Sequence, residues 1–175
     1  MCRILSIPLV IVCLQSPGKL PNFLAAVFFI VGAGTDVLDG YLARRRNIVT
    51  KLGKLLDPLA DKLLVSAGLI MLIPLGRVPA WAVFVIIARE ISVTGLRAIA
   101  AAEGIVIQAE SLGKGKTLAQ TAAAAALMVH YQYFYLNFHF YGMILFGAAF
   151  ILTVWSGVSY FIAFLSLFHP TAGQD

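Results

Sequence analysis

The stretch DVLDGYLARRRNIVTKLGKLLDPLAD, residues 36–61, places four aspartates, Asp36, Asp39, Asp57 and Asp61, at the facing ends of two apolar runs. An ionised Asp in or beside hydrocarbon costs at least about 2.5–3.5 kcal/mol even on a lenient insertion scale, so four together demand compensation by cations or metal. Asp36 and Asp39 are three apart, and Gly40 and Ala43 continue their stripe at helical spacing. Asp57 and Asp61 are four apart with Gly53 four before them, so these three share one helix face over about 12 Å. The spacing predicts two helices that offer facing pairs of carboxylates.

Outside that stretch the chain is apolar nearly throughout. Of its 175 residues 61% are hydrophobic and 12% charged, far from the range of ordinary globular domains. At about 20 residues per crossing, the chain has room for roughly six membrane spans. Helices are predicted over residues 3–15, 20–46, 51–75, 79–102, 117–135 and 138–168, with Pro79 in a first turn, a tight turn at Gly76-Arg77-Val78 and a polar loop over 103–116. Residues 1–175 then form one membrane-embedded domain. The first run is short for a span and lacks a small-residue cleavage site, so it reads as a clipped first helix rather than a signal peptide. Arg3, Arg44, Arg45, Arg46, Lys51, Lys54, Lys114 and Lys116 fall on the side of the amino terminus, against Lys19 and Arg77 opposite, which places the first group in the cytoplasm.

Several function classes drop out. Cys2 and Cys13 cannot build a disulfide framework. The net charge of +5 is not spread over a soluble face with aromatics for base stacking, so nucleic acid is excluded as a partner and anionic lipid or phosphate is favoured. Residues 131–135 with Tyr141 read as an interfacial aromatic belt; His130 and His139 belong with it, His169 lies in the tail, and their spacing does not suit a metal. The alanines at 122–126 make a close packing face or simply a good helix former.

Arg44, Lys51, Lys54 and Lys62 could turn the carboxylates into an ion-pair network. Ion pairing leaves unexplained why Gly40, Ala43 and Gly53 keep the same faces clear, whereas a ligand approaching the backbone closely accounts for it. A clear floor beside oxygen-only ligands suits a nucleotide diphosphate with magnesium, manganese or calcium rather than zinc. No Ser, His and Asp triad or phosphohistidine constellation is evident, which favours direct in-line attack.

The pattern Asp36-x2-Asp39-Gly40-x2-Ala43-Arg44-x8-Gly53-x3-Asp57-x3-Asp61 resembles the signature of the CDP-alcohol phosphatidyltransferase family at all eight specified positions. The segments 57–62, 89–97, 103–107 and 112–117 look like its phosphatidylglycerophosphate synthase branch, so the likeness covers nearly the whole chain. The resemblance implies an all-α, polytopic six-transmembrane-helix bundle that forms a homodimer. It implies two divalent metal ions, Mg2+ or Mn2+, on Asp36, Asp39, Asp57 and Asp61, with Asp61 also the catalytic base. Asp39, Gly40, Ala43, Arg44, Gly53 and Asp57 would shape the CDP-lipid site, and Arg89, Arg97, Lys114 and Lys116 would surround the acceptor phosphate. The implied partners are CDP-diacylglycerol, glycerol 3-phosphate and membrane lipids, with the site facing the cytoplasm from a bacterial inner membrane.

Inositol phosphate, serine or phosphatidylglycerol could replace the acceptor, although the Arg89 and Arg97 pair argues against serine. Glu90 could pair with Arg89 or Arg97. A cation transporter would want acids at mid-span and internal repeats, neither of which the sequence offers, and a scaffold would leave the glycine-carboxylate pattern unexplained. Family members carry an amphipathic Asn-x-Leu-Thr-x-x-Arg-like segment before the first span, whereas here Met1-Cys2 leads straight to Arg3.

Overall fold

A computed structural model of the chain describes the backbone of residues 2–45, 51–104, 112–133 and 135–168, and their side chains except those of 2, 35–45, 51–58, 112–114, 116, 133, 167 and 168. Within these residues six helices run in order: α1 Cys2–Gln15, α2 Lys19–Arg45, α3 Lys51–Leu72, α4 Ala80–Ala102, α5 Leu112–Val129 and α6 Phe138–Phe168. Two short strands, β1 Gln132–Tyr133 and β2 Leu136–Asn137, pair antiparallel between α5 and α6.

The expected bounds of α6 and the start of α3 match the structure. Helix α4 begins one residue later than expected, because Pro79 adopts an extended backbone (φ −74°, ψ 133°) and acts as the N-cap. Helix α3 stops at Leu72, not at 75: Pro74 has no N–H to donate and disfavours helix at Ile73, and Gly76 turns the chain at φ +67°. The largest departure is α5. It starts at Leu112, inside the stretch expected to be loop, and ends at Val129 instead of 135. His130 takes the left-handed conformation, φ +57°, and ends the helix, after which the aromatic run pairs as a hairpin. Asn137 then caps the new helix, its Oδ1 accepting from the N–H of Phe140 at 3.1 Å.

The core is built from all six helices, with Val10 and Leu14 of α1, Phe29 of α2, Leu64 and Leu69 of α3, Val83 of α4, Met128 of α5 and Phe146 of α6 in one cluster. Helix α5 lies at its centre, touching α2, α3 and α6. Ala123, Ala124 and Ala125 are buried, so the alanine run is a packing face. Two glycines let the helices close up. A Cβ at Gly32 would collide with Ser6 of α1 and come within 3.1 Å of Leu64 of α3, and one at Gly142 would stand 3.1 Å from the backbone nitrogen of Leu127.

The outside is apolar as well. Leu5, Ile30, Ile70, Phe84, Trp155 and Ile162, from five helices, are all exposed, a surface that water would not tolerate but acyl chains would. Among the described residues α6, over Phe138–Ser166, is the one helix long and apolar enough to cross a membrane by length and composition, and only 22% of that window is buried, unlike the core helix of a soluble protein. Six helices stand where six spans were expected, and one of them meets that length and composition among the described residues. Shorter apolar stretches occupy α1, the Lys19–Gly34 part of α2 and α5. In α4 the apolar run is broken by Arg89, Glu90 and Arg97, the residue types on which function was expected to rest.

At the end of the bundle that holds the hairpin, Arg77 lies in the tight turn expected there, and its side chain turns inward. It is 6% exposed, and its guanidinium donates to the carbonyls of Leu127 (3.0 Å) and Met128 (2.8 Å) and to Asn22 Oδ1 (2.8 Å). Those carbonyls belong to the last turn of α5 and have no partner within the helix, so the cation both satisfies them and meets the negative end of the helix dipole.

Candidate active site at the carboxylate end

Helices α2 and α3 continue through residues 36–45 and 51–58, so Asp36, Asp39, Gly40, Ala43 and Arg44 lie on the last three turns of α2, and Gly53 and Asp57 on the first two turns of α3. The side chains of these seven residues lie outside the described set, as do those of Lys114 and Lys116 on the first two turns of α5. Asp61 is the member of the quartet whose carboxylate is described.

Asp61 accepts an ion pair from Arg3 Nη1 at 2.8 Å, with 35% of its own side chain exposed. Arg3 is 8% exposed and also donates to the carbonyl of Ala33 at 3.0 Å. One guanidinium thus joins the start of α1, the middle of α2 and the middle of α3 on the side from which both helices run on to the other three aspartates. Among the described residues the partner of Asp61 is Arg3, expected from sequence only to mark the cytoplasmic side, while the side chains of Arg44, Lys51 and Lys54 lie outside that set. Lys62 instead donates to Thr94 Oγ1, tying α3 to α4.

Behind Asp61 lies a small cavity of about 60 Å3, lined by Asp61, Ser66, Glu90, Thr117 and Gln120 among others. Its wall sets two carboxylates, two hydroxyls, an amide and Lys62 beside the aliphatic Val65, Leu69 and Ile86, a cluster of polar groups in an otherwise apolar bundle. Gln120 is held by its bond to Thr153 Oγ1 at 2.8 Å. Such a wall can orient an alcohol by hydrogen bonds while a carboxylate accepts its proton.

The two arginines of α4 face α6. Arg89 is paired with Glu90 at 3.0 Å and donates from Nη2 to Ser156 Oγ at 2.8 Å. Glu90 is therefore the partner of Arg89, and it lines the Asp61 cavity, whereas Arg89 faces a groove between α4 and α6. Arg97, two turns on, is exposed; its Nε donates to Tyr160 OH at 2.8 Å and its guanidinium lies 4.8 Å from the centre of that ring. The structure thus brings Arg89 and Arg97 to one face of α4 and seats them on α6, a helix to which no functional residue had been assigned. The signal was present: Thr153, Ser156 and Tyr160, three and four apart, form a polar stripe on the most apolar helix of the chain.

Among the described residues no three His, Cys, Asp or Glu side chains gather as a metal site, Asp36, Asp39 and Asp57 lying outside that set. The donor chemistry fits a hard cation, since the α2 and α3 pattern offers carboxylate oxygen alone and Asp61 reaches a polar cavity. His130 and His139 meet at 3.2 Å between their Nδ1 atoms beside the hairpin.

The sequence model of the CDP-alcohol phosphatidyltransferase family matches residues 1–155. The chain is 45% identical over 174 residues to the CDP-diacylglycerol–glycerol-3-phosphate 3-phosphatidyltransferase of Bacillus subtilis, covering 92% of this chain and 90% of that one. It is 38% identical over 164 residues to the protein of the same name from Rickettsia bellii, at 92% and 90% coverage. The Haemophilus influenzae protein of that name is 33% identical over 165 residues, at 90% and 86% coverage. A match over most of the length, carried by a helical bundle with a polar pocket beside Asp61, has one consequence: the chain belongs to the CDP-alcohol phosphatidyltransferase family of membrane enzymes.

Proposed function

We propose that the protein is a phosphatidylglycerophosphate synthase, transferring the phosphatidyl group of CDP-diacylglycerol to glycerol 3-phosphate with release of CMP. The observation that carries this is the similarity over about nine-tenths of the chain to enzymes bearing that activity in their names. The family uses divalent metals, and Asp36, Asp39, Asp57 and Asp61 are the residues that would hold a pair of them, as Mg2+ or Mn2+. When bound, such ions neutralise the diphosphate and stabilise the charge that builds on the phosphoryl oxygens in transfer.

The chain's own residues do the rest. Gly40, Ala43 and Gly53 leave the backbone open to the cytidine and diphosphate, with Asp39, Arg44 and Asp57 at their edge. Asp61 takes the proton of the attacking hydroxyl, and Arg3 fixes the carboxylate for that task. The hydroxyl oxygen bonds to the phosphorus next to the diacylglycerol, the bond from that phosphorus to the CMP oxygen breaks, and CMP leaves. Attack is direct and in line, with no covalent enzyme intermediate. Arg89, Arg97, Lys114 and Lys116 hold the acceptor phosphate. The buried Nε of Arg89 supports this assignment, for among the described residues it finds no hydrogen-bond acceptor, and an oxyanion would satisfy it.

The exposed apolar surface and the family support a six-span bundle acting as a homodimer in a bacterial inner membrane, with the carboxylate end in the cytoplasm. One assay tests the function. Purified enzyme in nanodiscs receives CDP-diacylglycerol with glycerol 3-phosphate, inositol phosphate, serine or phosphatidylglycerol, and CMP release is followed with and without chelator. Metal-dependent release with glycerol 3-phosphate as the best acceptor is expected; a higher kcat/KM for another acceptor, or full turnover under chelation, would sink the reading.

A further inference from the structure

We infer that Ser156 and Gly157 of α6 are positioning residues for the acceptor cation, holding the Arg89 guanidinium in the attitude that meets a phosphate; this rests on the reading of Arg89 as an acceptor ligand. Glycine is the least favourable residue in a helix interior after proline, so its presence at 157 has a packing cause. A Cβ there would stand 2.8 Å from Arg89 Cγ and 3.3 Å from Nε. The first contact falls on the stem of the side chain and not on its mobile tip, so the whole arginine would have to swing away.

Ser156 fixes the other end. Its Oγ donates to the carbonyl of Thr153 at 3.2 Å, which commits the hydroxyl proton and leaves the oxygen lone pairs for Arg89 Nη2 at 2.8 Å. Glu90 takes Nη1 at 3.0 Å. The guanidinium plane is thus set at both terminal nitrogens, while Nε, buried and without an acceptor among the described residues, lies beside the space that the absent Cβ leaves. Two adjacent residues of α6 therefore decide where a cation of α4 points, and neither needs to touch the substrate.

The test measures steady-state constants for both substrates with the full-length enzyme in nanodiscs, in Gly157→Ala, Ser156→Ala, Ser156→Thr, Arg89→Ala and the double variant Gly157→Ala/Arg89→Ala. Gly157→Ala and Ser156→Ala are each expected to raise the KM for glycerol 3-phosphate about ten-fold, the scale of one charge-assisted hydrogen bond, with the KM for CDP-diacylglycerol unmoved. Ser156→Thr, which keeps the hydroxyl, restores the constant, and the double variant is no worse than Arg89→Ala alone. If Arg89→Ala raises that KM while the α6 variants leave it at the wild-type value, the positioning role is overturned and the acceptor reading stands. If Arg89→Ala has no effect on it, the acceptor reading falls first and the positioning role with it. Equal rises in both Michaelis constants would mark a general packing defect and also overturn the role. Should Gly157→Ala not fold, Ser156→Ala, which removes a single oxygen, decides the matter.

Discussion

Arg3 and Arg77 sit at opposite ends of the same bundle, 8% and 6% exposed, and both donate to the carbonyls of a neighbouring helix. Their remaining partners differ. Arg77 ends on the neutral amide oxygen of Asn22, so every bond it makes is internal and no substrate can borrow one. Arg3 ends on the carboxylate of Asp61, which is partly exposed and lines a cavity. A buried cation in a membrane bundle is thus a clamp where its partners are closed in, and stands within reach of a ligand where one of them faces open space.

Substitutions at the two ends should separate activity from stability. The largest effect is expected from Asp61→Asn, which keeps shape but removes the proposed proton acceptor: kcat should fall by about a thousand-fold or more, while the melting temperature moves less than in the Arg77 variant below. A loss under ten-fold would move the base elsewhere. Arg77→Met should invert the pattern, leaving three buried oxygens without a donor and costing about 3 kcal/mol of stability, read as a lower unfolding midpoint in detergent, with kcat at low temperature within about two-fold of wild type. Arg3→Lys keeps the charge but loses the fork that serves Ala33 and Asp61 together, so about a ten-fold drop in kcat with a small change in melting is expected; unchanged kcat would make Arg3 a second clamp.

The smallest effect belongs to the hairpin end. Burial, and then the positive Arg77 and the neighbouring His139, push the His130 imidazole below its ordinary value of 6.5. The unfolded chain therefore binds the proton more readily, so the contribution of His130 to stability is full above about pH 6.5 and is lost as pH falls through the depressed folded value. His130→Gln should flatten the acid limb of the melting temperature against pH and leave the rest of the curve in place.

Sequence alone displays the Asp pattern and the six helices because both are local: helical spacing and apolar runs need no distant partner. The bounds of α6 could be read to the residue for the same reason. Arg77 could not, since its acceptors lie 50, 51 and 55 positions away and a cation in a glycine turn looks like any surface loop. The partner of Arg3 was not legible for a like cause, the ion pair spanning α1 to α3. The end of α5 was missed because alanine-rich helix propensity runs smoothly into the aromatic segment, and a left-handed residue at 130 overrides it. The polar stripe of α6 was legible from spacing, but its partners on α4 lie 63 and 67 positions away.

With 31 residues, α6 rises about 46 Å, well beyond the roughly 30 Å of hydrocarbon in a typical bilayer. A rod of that length must lean or protrude, and its lean responds to the thickness of the surrounding lipid. Because the same rod carries the seats of Arg89 and Arg97, turnover should vary with acyl-chain length in the host bilayer, so that an enzyme making lipids would be sensitive to the lipids already made.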